Sequence, residues 1–178
     1  ASQEKGGVDY PAYTLIMSAI NKSMEGELKA GERIEYSFRY KGLALVEEDG
    51  TWMPFEGLSD GYRDVIKIVA DIAVRMCILN PYLKSDTFEK TPGVVIIDEL
   101  DLSLHPGWQK RIVNTLTTLF PKVQFICASH SPFIIQSLDK GQLISLDGAI
   151  EDEYSGQSIE DIAEDIMGVK NPHYSIKK

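Results

Sequence analysis

Val94-Val95-Ile96-Ile97-Asp98-Glu99 decides the fold: four consecutive β-branched residues lead into two adjacent carboxylates. A strand buried on both faces reads as such a continuous apolar run, and ligand sites in open α/β sheets gather at the carboxyl ends of strands. Withdrawing an unpaired carboxylate from water is costly, so Asp98-Glu99 calls for a cation, a polarised water or neutralising partners. The plain alternative is a strand that ends in solvent. It accounts for one acidic residue more easily than for two followed by Leu100-Asp101-Leu102-Ser103-Leu104-His105-Pro106, where polar and apolar residues alternate into a helix start.

Downstream of this stretch the pattern predicts helix 106–119, strand 123–128, a short helix 132–138 and strand 142–147. Strands separated by helices imply right-handed crossovers and a mainly parallel sheet. Ser158-Ile159-Glu160-Asp161 resembles a capping box opening a last helix that ends near Gly168. Upstream, Tyr13, Ile16, Met17 and Ile20 mark one face of a helix over 11–25, with Pro11 in its first turn and Gly26 closing it. Arg33 to Tyr40 and Leu43 to Glu48 read as strands, and Asp49-Gly50 as a hairpin turn into a third, Thr51 to Phe55. After Ser59, Val65, Ile66, Ile68, Val69, Ile72, Ala73, Met76 and Leu79 make a long helix expected well inside the core and stopped by Asn80-Pro81. Lys84 to Pro92 reads as a loop. The fold class is therefore α/β: a mainly parallel sheet with flanking helices, preceded by a small amino-terminal helix and antiparallel strands. One domain is expected over 1–178, in three parts, 1–57, 58–148 and 149–178.

A chain of 178 residues with 43% hydrophobic content can bury a proper core. The formal charge of -9 disfavours a broad nucleic-acid-binding surface, which needs clustered Lys and Arg. Cys77 and Cys127 have no metal-ligand spacing and read as small buried thiols in a reducing cytoplasm. Apolar stretches are far shorter than a membrane span and no signal-peptide core is visible, so the expectation is a soluble cytoplasmic protein without a membrane partner.

Three clusters at junctions between elements can carry chemistry. In Gly57-Leu58-Ser59-Asp60-Gly61-Tyr62, small residues let the backbone approach a ligand, and the free N–H groups of the helix start favour an anion such as phosphate. The plain alternative makes Ser59 or Asp60 an ordinary helix cap. At Asp98-Glu99, one carboxylate can hold Mg²⁺ through water while its neighbour orients and deprotonates an attacking water. In Ala128-Ser129-His130-Ser131-Pro132, His130 comes within reach of the Glu99 edge if strands 93–98 and 123–128 are neighbours. A lone His after a strand is more often a cap or surface residue, so its weight comes from the carboxylates.

Taken in order, Leu58-Ser59-Asp60-Gly61, the apolar run ending in Asp98-Glu99, and Ser129-His130-Ser131-Pro132 resemble the carboxyl-terminal half of an ABC-type ATPase head. Asp98-Glu99-Leu100-Asp101-Leu102-Ser103-Leu104-His105-Pro106 narrows the resemblance to the AAA-21 branch. That branch includes OLD, RecF and structural-maintenance-of-chromosomes heads and the ATPases of Septu and retron anti-phage systems. The resemblance covers roughly residues 12 to 170 and implies a P-loop NTPase fold, with ATP and Mg²⁺ as cofactors. It implies that Leu58, Ser59, Asp60 and Gly61 form a signature motif contacting the γ-phosphate held by an opposing subunit. Asp98 is implied to hold Mg²⁺, Glu99 to polarise the attacking water, and His130, beside Ser129, to sense the γ-phosphate. Asp101, Ser103 and His105 are implied to lie in the D-loop at the dimer interface. Asp60 departs from the transporter pattern Leu-Ser-Gly-Gly, as His105-Pro106 departs from the transporter D-loop.

No Walker A loop is present. Gly26-Glu27-Leu28-Lys29-Ala30-Gly31 is followed by Glu32-Arg33 where Lys-Ser or Lys-Thr is required, and it precedes a strand instead of opening a helix. The Q-loop of the family is not recognisable either. With Ala1-Ser2-Gln3 at the start in place of an initiator Met, the expectation is a carboxyl-terminal piece of a longer protein, inactive without its P-loop half. Its expected partners are that half, a second copy joined through ATP, and a nucleic acid or a nuclease effector. Two other functions fit parts of the pattern. One is a Mg²⁺-dependent nuclease or Toprim-like domain using Asp98, Glu99 and Asp101; the other is a non-catalytic interaction module.

Overall fold

The computed structural model describes residues 11–144, 157–165 and 168. They form two compact units, one of residues through Val94 with Leu116–Gln124, the other of Val95–Thr115 with residues from Phe125 onward.

In the first unit, helix α1 (Pro11–Ser23) buries Ala19 and Ile20. The chain leaves it through buried Met24 and through Gly26, whose φ of 80° favours a residue without Cβ. Asn21 ties the helix to the next element: its Nδ2 donates to Ile34 O at 2.9 Å and its Oδ1 accepts from Ile34 N–H at 2.8 Å. That element is strand β1 (Arg33–Ser37), which pairs antiparallel with β2 (Gly42–Val46), and β2 pairs antiparallel with β3 (Trp52–Pro54). Ile34 faces Leu45 and Leu45 faces Met53 across the ladders. The Asp49-Gly50 turn closes as expected, with Gly50 at φ 84° and Thr51 N–H donating to Asp49 Oδ1 at 2.8 Å.

β1 is shorter than expected. Phe38 to Lys41 form a turn, with Lys41 at φ 52° and Tyr40 N–H held by Ser37 Oγ at 3.4 Å. The aromatic residues that suggested a longer strand stand exposed at the turn instead.

Helix α2 (Asp60–Leu79) turns Val65, Ile66, Val69, Ile72, Ala73 and Met76 inward and packs against α1. Its carboxyl end protrudes, with Ile78 and Leu79 exposed, so only one face meets the core expectation. It stops at Asn80 because Pro81 has no N–H to continue the ladder. Part of the segment expected as a loop forms the short helix α3 (Thr87–Lys90). Buried Thr87 donates to Lys84 O at 2.6 Å, and the Phe88 ring meets Phe120 edge-on at 5.6 Å.

Strand β4 (Gly93–Ile97) pairs with β5 (Val123–Cys127). Ala128 N–H donates to Ile97 O and Ala128 O accepts from Leu100 N–H, both at 2.9 Å, so one residue bridges two of the neighbouring chain as in parallel strands, with one extra residue inserted at the left-handed Glu99. The expectation that β4 is buried on both faces is overturned: Val94 is 60% and Ile96 76% exposed, with Ile126 at 50%. β-branched side chains set the strand conformation, but nothing among the described residues covers this face of a two-stranded sheet. The cysteines also depart from the buried thiols expected: Cys127 at the end of β5 is exposed and Cys77 on α2 is only half-buried.

The helix expected over 106–119 is two helices, α4 (Pro106–Gln109) and α5 (Ile112–Leu119). At the break Arg111 N–H bonds Trp108 O at 2.9 Å, a tighter turn than an α-helix makes, and the Arg111 guanidinium lies over the Trp108 ring. Helix α6 (Pro132–Gln136) packs against α7 (Ile159–Asp165), whose Ile162 is fully buried. Ser158 caps α7, accepting from Asp161 N–H at 3.1 Å. Of the expected strand 142–147, residues 142–144 are irregular and the rest lie outside the described residues. Among the described residues no helix is long and apolar enough to cross a membrane.

Candidate functional site

The carboxyl end of β4 is the focus of the second unit. Asp98 and Glu99 are both exposed, and Glu99 has a φ of 51°. Left-handed backbone costs a residue with a Cβ about 1–2 kcal/mol; it occurs in tight turns, as at Lys41, and also clusters at functional sites. The kink lets Leu100 enter the core while the two carboxylates remain in water. Two tight turns follow, Leu102 N–H to Glu99 O at 2.9 Å and Leu104 N–H to Asp101 O at 3.1 Å, with Ser103 also left-handed at φ 63°. Leu100 and Leu104 are thus buried and Leu102 is exposed.

Asp101 turns toward the loop after β5. Its Oδ1 accepts the Ser129 hydroxyl at 2.6 Å and the His130 N–H at 3.1 Å. Ser129 Oγ in turn accepts Ser131 N–H at 3.0 Å. Partial burial alone would raise the Asp101 pKa, but these bonds and its own backbone N–H outweigh it and hold the carboxyl below its ordinary value. Buried Ser131 caps α6, accepting from Phe133 and Ile134 N–H, and donates to Gln109 Oε1 at 2.7 Å. Gln109 Nε2 closes the circuit by donating to Asp101 O at 3.1 Å and Leu104 O at 2.8 Å. Gln109 was missed in the sequence; its signal was a polar residue on a helix that also presents buried Trp108. His105 caps α4 through Nδ1, which accepts from Gly107 N–H at 3.2 Å. Ser103 and His105 are both exposed.

The structure therefore brings Asp98, Glu99, Asp101, Ser103, His105, Ser129 and His130 into one unit, with β4 and β5 neighbours, the condition on which the reading of His130 rested. Leu58, Ser59, Asp60 and Gly61 belong to the other. There Ser59 is the N-cap of α2, its Oγ at 3.5 Å from Tyr62 N, a weak bond that leaves an exposed hydroxyl. Asp60 pairs with Arg63, which also donates to Glu56 O, and Leu58 is buried. Gly57 is a close approach: a Cβ there would lie 2.9 Å from Met53 Cγ.

Asp98 suits Mg²⁺, which binds through one or two carboxylates with water and phosphate oxygens completing its shell. The three-carboxylate arrangement needed for the nuclease alternative is not formed. Asp101 is committed to Ser129 and His130, and among the described residues no three His, Cys, Asp or Glu side chains gather to hold a metal.

The fold and this strand-end site define a P-loop NTPase-type α/β protein. The chain belongs to the AAA_21 family, "AAA domain, putative AbiEii toxin, Type IV TA system", whose model matches residues 9–136. It is 41% identical over 98 residues to the Retron Vc95 probable ATPase of Vibrio cholerae serotype O1 biovar El Tor, covering 55% of this chain and 19% of that protein. It is 37% identical over 95 residues to the Retron Ec83 probable ATPase of Escherichia coli, covering 53% and 17%. Septu protein PtuA of Bacillus mycoides (strain KBAB4) is 38% identical over 96 residues, covering 54% and 13%. The chain thus spans less than a fifth of the length of these relatives. Among solved structures, one described as "Structural biochemistry of ATP-driven dimerization and DNA stimulated activation of SMC ATPases" superposes with a TM-score of 0.52 at 16% identity, covering 89% of this chain and 95% of that one. That likeness is one of fold.

Proposed function

We propose that this chain supplies the water-activating half of an ATP-hydrolysing head, which acts when joined to a phosphate-binding half carrying a P-loop. The observation that carries the reading is the left-handed Glu99 at the end of β4, directly beside the strand that leads to His130. An exposed carboxylate at a strained strand end is placed to accept a proton from water as that water attacks the γ-phosphorus. The new O–P bond forms as the bond to the β-phosphate oxygen breaks. His130, on the neighbouring loop with Ser129, holds a γ-phosphate oxygen. Asp98 would hold Mg²⁺, which when bound neutralises charge on the β- and γ-phosphates.

Ser59 and Gly61, with the start of α2 behind them, serve the phosphate of a second copy, so that ATP joins two heads, with Leu58 and Asp60 shaping the turn. Ser103 and His105, exposed on the loop after Glu99, serve contacts with the second copy. The ATP-driven dimerization named for the SMC neighbour supports this arrangement, and its DNA-stimulated activation supports a nucleic acid as the partner that the cycle serves. The retron and Septu relatives support an anti-phage setting. Glu99→Gln in the full-length protein tests the reading: ATP turnover falls by about 10²-fold or more while a nucleotide-bound dimer accumulates. Wild-type turnover in that variant sinks the assignment.

A further inference from the structure

We propose that Asp101 is a positioning residue, whose carboxylate fixes the loop from which His130 acts by holding the Ser129 hydroxyl and the His130 N–H at one oxygen. The inference rests on the reading of Glu99 and His130 as parts of an ATP-hydrolysing site. The family resemblance implies an interface loop for Asp101, and within the chain its Oδ1 accepts from Ser129 and His130. Both bonds, at 2.6 and 3.1 Å, end on the same atom, Oδ1. The backbone at His130 has therefore been tied to the turn that follows Glu99. The tie is braced from both sides: Ser131 N–H donates to Ser129 Oγ, and Gln109 links Ser131 Oγ to the Asp101 and Leu104 carbonyls. Ser129 spends its hydroxyl proton on Asp101 and accepts from Ser131, so its side chain is part of the brace. The carboxyl-bearing turn and the histidine loop thus move as one body, and the distance between the Glu99 and His130 backbones is set before substrate arrives.

Because one oxygen does the work, Asp101→Asn keeps it and Asp101→Ala removes it, which separates positioning from charge. In the full-length protein Asp101→Ala lowers kcat by about a hundredfold with little change in KM for ATP, the size expected when a reacting group is misplaced by about 1 Å. Asp101→Asn restores most of the rate. Ser129→Ala removes one of the two bonds and keeps the His130 N–H on Asp101, so its kcat falls between wild type and Asp101→Ala, and the double variant is no slower than Asp101→Ala, because the Ser129 contribution runs through Asp101. Amide hydrogen exchange gives a readout independent of turnover: the His130 N–H exchanges faster in Asp101→Ala and at the wild-type rate in Asp101→Asn. Should Asp101→Ala fail to fold, Ser129→Ala and Asp101→Asn carry the same comparison. Wild-type kcat in Asp101→Ala while Glu99→Gln is inactive overturns this inference alone, as does a loss of kcat that Asp101→Asn does not rescue. Full turnover in Glu99→Gln overturns the ATP reading and this inference with it.

Discussion

The Asn21 amide brackets one residue of the neighbouring strand: Nδ2 donates to Ile34 O and Oδ1 accepts from Ile34 N–H, while Nδ2 also reaches Met17 O at 2.9 Å. Ile34 is fully buried, so its backbone groups have no access to water when this bracket is absent. One side chain thus completes the edge of the three-stranded sheet and sets where α1 lies against it.

Removing the bracket strands two buried backbone groups at once. Asn21→Ala lowers the stability of the first unit by about 1–3 kcal/mol per unsatisfied group. Asn21→Asp keeps the acceptor and loses the donor, so it falls between. Urea unfolding monitored by Trp52 fluorescence reads the difference; equal midpoints for wild type and Asn21→Ala would remove the bracket from the list of stabilising contacts.

Glu99→Gly separates chemistry from backbone strain. Glycine has no penalty at φ 51°, so the variant is inactive in ATP turnover yet more stable than wild type by about 1 kcal/mol. Glu99→Gln keeps the Cβ and leaves stability unchanged. A calorimetric midpoint for Glu99→Gly at or below that of Glu99→Gln contradicts the strain argument.

The lowered pKa of Asp101 has a defined sign in stability. A carboxyl whose folded pKa lies below its unfolded value stabilises the protein above the unfolded value and loses that contribution as pH falls through the folded one. Wild type therefore loses stability on acidification below the ordinary carboxyl range by one increment that Asp101→Asn lacks. Parallel acid-unfolding curves for the two proteins would show that no such increment exists.

Two isoleucines should respond in opposite ways. Ile162 is fully buried in the α6–α7 contact, so Ile162→Ala costs about 2–5 kcal/mol. Ile96 is 76% exposed on β4, so Ile96→Thr stays within about 0.5 kcal/mol of wild type. The same change reduces self-association of the isolated chain, because it breaks an open apolar strand face. Light scattering and thermal unfolding read both effects; a large stability loss in Ile96→Thr means that face is covered in solution.

Local chemistry made much of this fold legible. Asp49-Gly50 announced its turn, Asn80-Pro81 its helix stop and Ser158 its cap, because each acts through a backbone group within a few residues. Val94 to Glu99 likewise announced a strand end carrying two carboxylates. Burial was a different matter: β-branched residues specify extended backbone, but what lies against a strand depends on elements elsewhere in the chain or outside it. The split of α4 from α5 turned on the tight Arg111–Trp108 turn, which helix periodicity does not encode. At the site, the pairing of β4 with β5, which brings the loop carrying His130 to the end of β4, followed from the alternation of strand and helix. The Asp101 contacts did not, since Ser129 is 28 residues away in sequence and nothing local distinguishes an inward-turned Asp from an outward one.

Helix α2 has a mechanical side. Its 20 residues run unbroken from the Ser59 cap to the exposed Ile78 and Leu79, a rod of about 30 Å at 1.5 Å per residue. A rod of that length does not absorb displacement along its course. Its two ends, the Ser59 cap and the exposed Ile78 and Leu79, are thus parts of one rigid element, and a displacement of either end is shared along the helix.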